Sequence, residues 1–232
     1  SYNTNPDVVK LLKLNINEIN WSWLSSQEYA IDLLQEYPEK IDWYELSSNE
    51  KAIHLLEANP EKINWSRLSS NPKAVHLLET NPEKINWREL SSNENALHLL
   101  KENPTKIDWT MLCMNTNATD LLEKNVNKIH WRYILSNPNV MHIYEQNKDK
   151  VDWEQLSGME HAVELLEANP DRIDWDLLSG NSSAIHLLEA NPDKINYEFL
   201  SSNEAALHLL EENQDKIDWD NLSENPGIFY KN

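Results

Sequence analysis

The chain has 232 residues, with 39 acidic against 20 basic side chains, a formal net charge of −19 and 40% hydrophobic residues. Charge of this sign repels phosphate backbones and argues against a nucleic-acid partner, and no apolar run reaches the roughly 18 residues of a membrane span. The lone Cys113 can close no disulfide within the chain, which fits a reducing compartment, and only three glycines are present, so turns needing positive φ must be rare or built on Asn.

Residues 1–14 carry Asn5-Pro6 and then Val8, Val9, Leu11 and Leu12, the second half of a motif that afterwards recurs in full. From Trp21 the same position holds Trp43, Trp65, Trp87, Trp109, Trp131, Trp153, Trp175, Tyr197 and Trp219, each 22 residues beyond the last. Nothing interrupts the ten copies. A fixed period of this size marks a solenoid, in which a unit too small to bury its own core stacks on its neighbours. The array therefore reads as one domain over 1–232, with a half-repeat cap at 1–14, tandem repeats over 15–222 and a second half-repeat cap at 223–232.

Positions are counted here from the Trp of each repeat. Ile at −2, Trp at 0 and Leu at +3 do not share a helical face unless the backbone breaks at −1. Asp42, Asn64, Asn86, Asp108, Asp152, Asp174, Asn196 and Asp218 stand there, and each predicts an N-cap for a short helix beginning at the Trp. Ile at −2 and Leu at +3 are then spaced as a hydrophobic staple, and Glu45 and Glu89 as capping-box partners. In the second half of the unit, apolar residues at +9, +10, +12 and +13 (Ala52, Ile53, Leu55, Leu56) predict an amphipathic helix over about +7 to +15. Asn at +6, as in Asn49 and Asn71, is its expected N-cap, with Ser47 at +4 as a rival. A Ser-Ser-Asn turn joins the two helices, and Asn-Pro-Glu-Lys leads onward.

The expected fold is thus all-α, an α-solenoid of ten 22-residue helix-turn-helix repeats. A leucine-rich-repeat-like α/β solenoid shares the period and is the alternative, since Lys-Ile-Asn-Trp alternates like a strand. Against it, +1 should hold that family's second strand leucine and instead holds Ser22, Tyr44, Ser66, Arg88, Thr110, Arg132, Glu154, Asp176, Glu198 and Asp220.

Ile-Asp-Trp, Leu-Ser-Ser-Asn-Pro, Ala-Ile-His-Leu-Leu-Glu and Asn-Pro-Asp-Lys, together with the ending Asn225-Pro226-Gly227-Ile228-Phe229, resemble the short tandem repeats of proteins from giant DNA viruses of the mimivirus type. The resemblance spans essentially the whole chain. It implies a viral protein acting on a host or viral partner inside an infected cell, in the host cytoplasm, and it brings no catalytic residues.

The Trp column invites a stacking platform for sugars or bases, but a Trp flanked by Ile at −2 and Leu at +3 reads as core, worth about 1.5–3 kcal/mol per buried side chain. His54, His76, His98, His142, His186 and His208 share +11, opposite the apolar stripe, so they should face outward. Packed helices lie about 10 Å apart, too far for neighbouring imidazoles to share a metal bound at about 2 Å, so no metal is expected. Lys at −3 and Glu at +14 suggest exposed rows of opposite charge, and Asn at +16 should cap the linking turn and bond to the next repeat.

Recognition should sit where the copies differ. Positions +1, +2 and +8 vary widely yet carry large side chains, and the candidate partner-binding residues are Trp23, Arg67, Arg88, Met111, Arg132, Tyr133 and Phe199. Residues 111–148 depart from the pattern together, through Met111, Cys113, Met114, His130, Arg132, Tyr133, Met141 and Tyr144. Cys113 and His130 show no organised nucleophile, base and orienting group. The sequence therefore predicts a non-catalytic scaffold for protein–protein interaction without cofactors, with a ligand-binding array on the Trp or His ladder as the alternative.

Overall fold

A computed structural model describes residues 12–229, and among these every regular element is helical. The architecture is the all-α repeat solenoid, in two compact units that divide between Leu122 and Glu123. Most of the expected N-terminal half-repeat, up to Leu11, lies outside the described residues, as do the last three residues of the C-terminal one.

One repeat illustrates the construction. Asp42 leaves the helical region (φ −83°, ψ 99°) and its side chain accepts from the backbone N–H groups of Tyr44 and Glu45 at 3.1 and 3.3 Å, opening the Trp helix Trp43–Leu46. The Leu helix Ile53–Ala58 follows, and then a 3-10 turn, Pro60–Lys62, in which Pro stands where an N–H would lack a partner. The cap at −1 recurs at Asn64, Asn86, Asp108, Asp152, Asp174, Asn196 and Asp218.

The core consists of three columns. Leu46, Ala52 and Leu56, at +3, +9 and +13, are fully buried, as are their counterparts Leu90, Ala96 and Leu100 in the first unit and Leu178, Ala184 and Leu188 in the second. The buried position at +9 holds a small residue in nearly every repeat, and Ile41 and Ile63 at −2 are buried as well.

Three expectations are corrected. The Leu helix starts at +10 and holds six residues, because Asn at +6 does not cap it. Asn49 is buried, its Oδ1 accepts from Lys51 N–H at 3.0 Å in an Asx turn, and its Nδ2 donates sideways to the Ser25 carbonyl at 3.0 Å. Ser47 does not cap the Leu helix either. Its Oγ donates back to the Trp43 carbonyl at 2.7 Å and accepts from the Asn64 N–H at 2.9 Å, so it ties one Trp helix to the next. That same bond, repeated as Asp42 N–H to Ser25, occupies the donor that a Glu45 capping box would have used.

The bonds repeat along each unit. In the first, Asn93 Nδ2 donates to the Ser69 and Asn71 carbonyls, both at 3.0 Å, and Asn115 to Ser91 and Asn93 at 3.1 and 2.9 Å. In the second, Asn181, Asn203 and Asn225 reach the carbonyls of Ser157, Ser179 and Ser201. A buried polar ladder of Ser and Asn therefore runs beside the apolar columns, with its donors and acceptors matched one period apart. No described residue adopts positive φ, as the scarcity of glycine implies.

Residues 131–136 interrupt the pattern: Trp131–Tyr133 form turns and Ile134–Ser136 a 3-10 helix. His130 replaces the capping carboxylate or amide and Leu135 replaces the serine, so this repeat has neither device that fixes the other Trp helices.

Candidate functional site

The Trp column is half-buried in most repeats rather than enclosed, and a lysine covers the ring face at Trp43, Trp65, Trp87, Trp131, Trp175 and Tyr197. Lys62 Nζ lies 4.6 Å from the Trp43 ring centroid, Lys84 4.5 Å from Trp65 and Lys106 4.7 Å from Trp87. In the second unit Lys194 covers Trp175 at 4.4 Å and Lys216 covers Tyr197 at 4.6 Å. The lysine column thus pairs with aromatic faces and not with the acidic column. Its four-carbon stem shields the ring while the ammonium stays wet.

The acidic column belongs instead to the histidines. His76 and Glu57 share a 2.9 Å hydrogen bond, His98 and Glu79 one of 2.8 Å, and the second unit repeats it at His186–Glu167 and His208–Glu189. His54 meets Gln35, the residue at the glutamate position, at 2.9 Å. All these pairs are exposed, and among the described residues no three His, Cys, Asp or Glu side chains are arranged to hold a metal. Asn59, Asn81 and Asn103 at +16 each donate to the carbonyl four residues earlier at 2.9 Å, so these amides close their own Leu helices.

What remains open is the outer side of the Trp helices, at +1 and +2. In the first unit Trp23 is 54% exposed and meets Tyr29 at 6.4 Å between ring centroids, and Tyr44 is 52% exposed. Arg67 is less free than its sequence position suggests: its guanidinium lies 4.9 Å over Tyr44 and bonds Glu45 at 2.7 Å. Arg88 is exposed with Asp108 4.0 Å away, and Met111 is half-buried.

In the second unit Arg132 and Tyr133 are exposed on the irregular turn, with the Tyr133 ring edge-on to His130 at 4.8 Å. Phe199 is 37% exposed on the helix Tyr197–Ser201. Within each unit, then, the candidate residues share the outer side of the Trp helices. Tyr29 and Tyr44 belong to the same surface although sequence reasoning did not select them; both stand in columns, +8 and +1, whose variability was the available signal.

Among the described residues no helix is long and apolar enough to cross a membrane. No family model, curated protein or solved structure matches the chain.

Proposed function

We propose that the chain is a non-catalytic repeat scaffold that presents the outer side of its Trp helices to a protein partner. One observation carries this reading. Four of the nine large hydrophobic side chains exposed among the described residues, Trp23, Tyr44, Tyr133 and Phe199, occupy +1 or +2, next to the helices whose inner faces hold the array together. Exposed aromatics beside arginine are the side chains that anchor protein interfaces, and a stacked array is well suited to display them at fixed spacing.

The alternative of a sugar- or base-stacking Trp ladder loses support because lysines already cover those faces. The charge of −19 favours a partner with a basic surface over nucleic acid. With the viral resemblance, that partner would be a host or viral protein met in the cytoplasm of an infected cell. The test is affinity purification from infected cells with the wild-type chain and with a variant carrying Trp23→Ala, Arg88→Ala, Arg132→Ala and Tyr133→Ala. Loss of a specific partner at unchanged helical circular dichroism supports the surface; retention of every partner overturns it.

A further inference from the structure

The second unit carries a feature on the outer side of its Trp helices that the first lacks. At +1 its four regular repeats hold Glu154, Asp176, Glu198 and Asp220, all exposed, whereas no acid stands in that column of the first unit. Asp176 accepts from Asn196 Nδ2 at 2.9 Å, and among the described residues none of the four pairs with a lysine or arginine. Next to them, at +2, Leu177 and Phe199 make an apolar centre between the amides of Gln155 and Asn221, and Phe199 is 37% exposed. Two of the three glycines of the chain, Gly158 and Gly180, stand at +5, where six other repeats have serine. The fold does not require them: φ is −81° and −83°, and an added Cβ would meet nothing closer than 3.6 Å. Each lies beside the +2 side chain of the following repeat, with Leu177 Cβ 3.9 Å from the Cβ position of Gly158 and Phe199 Cδ1 4.0 Å from that of Gly180. The glycines thus leave bare backbone next to Leu177 and Phe199, which admits close approach by another chain.

We infer that this face binds a cationic protein segment in polyproline II conformation, with Lys or Arg at every third residue and apolar residues between. The inference rests on the scaffold reading and names the chemistry of a partner segment. Charge complementarity sets the sign, because each repeat presents a carboxylate with no basic partner. Spacing sets the conformation. Consecutive Trp helices of this unit pack on one another, at about 8–10 Å between axes, so the carboxylates recur at about that interval. A polyproline II chain rises about 3.1 Å per residue with three residues per turn, so every third side chain returns to the same side after about 9 Å. A β-strand sends residues three apart to opposite faces, and an α-helix, about 10–12 Å across, stands off from the backbone that the glycines bare. The residues between the cations then cover Leu177 and Phe199.

The experiment is fluorescence anisotropy of a labelled peptide of four Lys-Leu-Pro triplets, titrated with the full chain. Saturable binding is expected, and a peptide of the same composition with its four lysines adjacent should bind at least about fivefold more weakly. Glu154→Gln, Asp176→Asn, Glu198→Gln and Asp220→Asn together should weaken binding at least about tenfold at unchanged helical circular dichroism. The same change in net charge made elsewhere on the second unit, with Asp171→Asn, Asp193→Asn, Asp215→Asn and Glu212→Gln, should leave it within about twofold. Gly158→Ser with Gly180→Ser, the residue most other repeats carry, should weaken it severalfold without altering the fold. Equal effects of the two charge sets, equal binding of the two peptides, or no saturable binding at millimolar chain overturns the proposal. The scaffold reading would still stand in that event if the wild-type chain captured a partner that the variant at Trp23, Arg88, Arg132 and Tyr133 loses.

Discussion

Lys84 Nζ lies 4.5 Å from the centroid of the Trp65 ring, 19 residues away in sequence. Neither residue would be read as the partner of the other from the sequence alone, yet the pairing explains why a half-exposed indole recurs in an array of such high charge. Lys84→Ala should lower unfolding stability by about 0.5–1 kcal/mol, the worth of an exposed cation–π contact. Lys84→Met, which keeps the apolar stem, should recover part of that loss. Urea denaturation of the two variants separates the charge from the cover.

The buried asparagines should be far less tolerant. Asn93→Ala strands the buried Ser69 carbonyl and the Asn95 N–H that its side chain now satisfies, and leaves the Asn71 carbonyl with the Ala74 N–H alone. At about 1–3 kcal/mol for a buried group left unmatched, and less for the part-buried N–H, a loss of about 2 kcal/mol or more is expected. Asn117→Ala, which removes an exposed bond to the Glu94 carbonyl, should cost less than about 1 kcal/mol. Equal effects of the two substitutions would contradict the ladder.

At +4 the serine hydroxyl both donates and accepts. Ser69→Ala leaves the Asn86 N–H without its 3.0 Å acceptor and should cost about 1–3 kcal/mol. Ser69→Cys should cost less, because the chain already buries Cys113 at the same position of another repeat. Thermal melts of the two variants give the ordering directly.

The irregular repeat offers a gain. His130→Asp restores a capping carboxylate ahead of Trp131 and should stabilise the second unit by about 0.5–2 kcal/mol while increasing helical circular dichroism at about 222 nm. An unchanged spectrum and midpoint would mean that Leu135, and not the missing cap, holds residues 131–136 out of the helix.

The exposed His–Glu pairs should matter least. Glu79→Gln, which preserves a hydrogen-bond acceptor for His98, should change stability by less than about 1 kcal/mol, as for other solvated pairs. A larger loss in urea melts would show that the row is structural.

How far the sequence could be read depended on the range of each interaction. The caps at Asp42 and Asn64 were legible because capping is local: the acceptor stands two or three residues before its donors. The start of the Leu helix was not, because Asn49 spends its amide on a carbonyl 24 residues away, and only the assembled stack brings the two together. The pairing of lysines with rings is hidden for a similar reason: opposite charge is visible in the sequence, whereas the face of a ring is not. Variability marks Trp23 and Tyr133, which are exposed, and equally Arg67, which Glu45 and Tyr44 hold.

The Ser and Asn bonds also make the array a ruler. Each joins positions at a set number of residues, 17 for Asn86 N–H to Ser69 and 24 for Asn93 to the Ser69 carbonyl. Removing a whole module, such as residues 65–86, leaves every remaining donor facing an acceptor of the same kind. Removing one residue fewer puts all later rungs out of step with all earlier ones. Length in such a chain is therefore quantised, and it can change by duplication or loss of complete modules much more readily than by single residues.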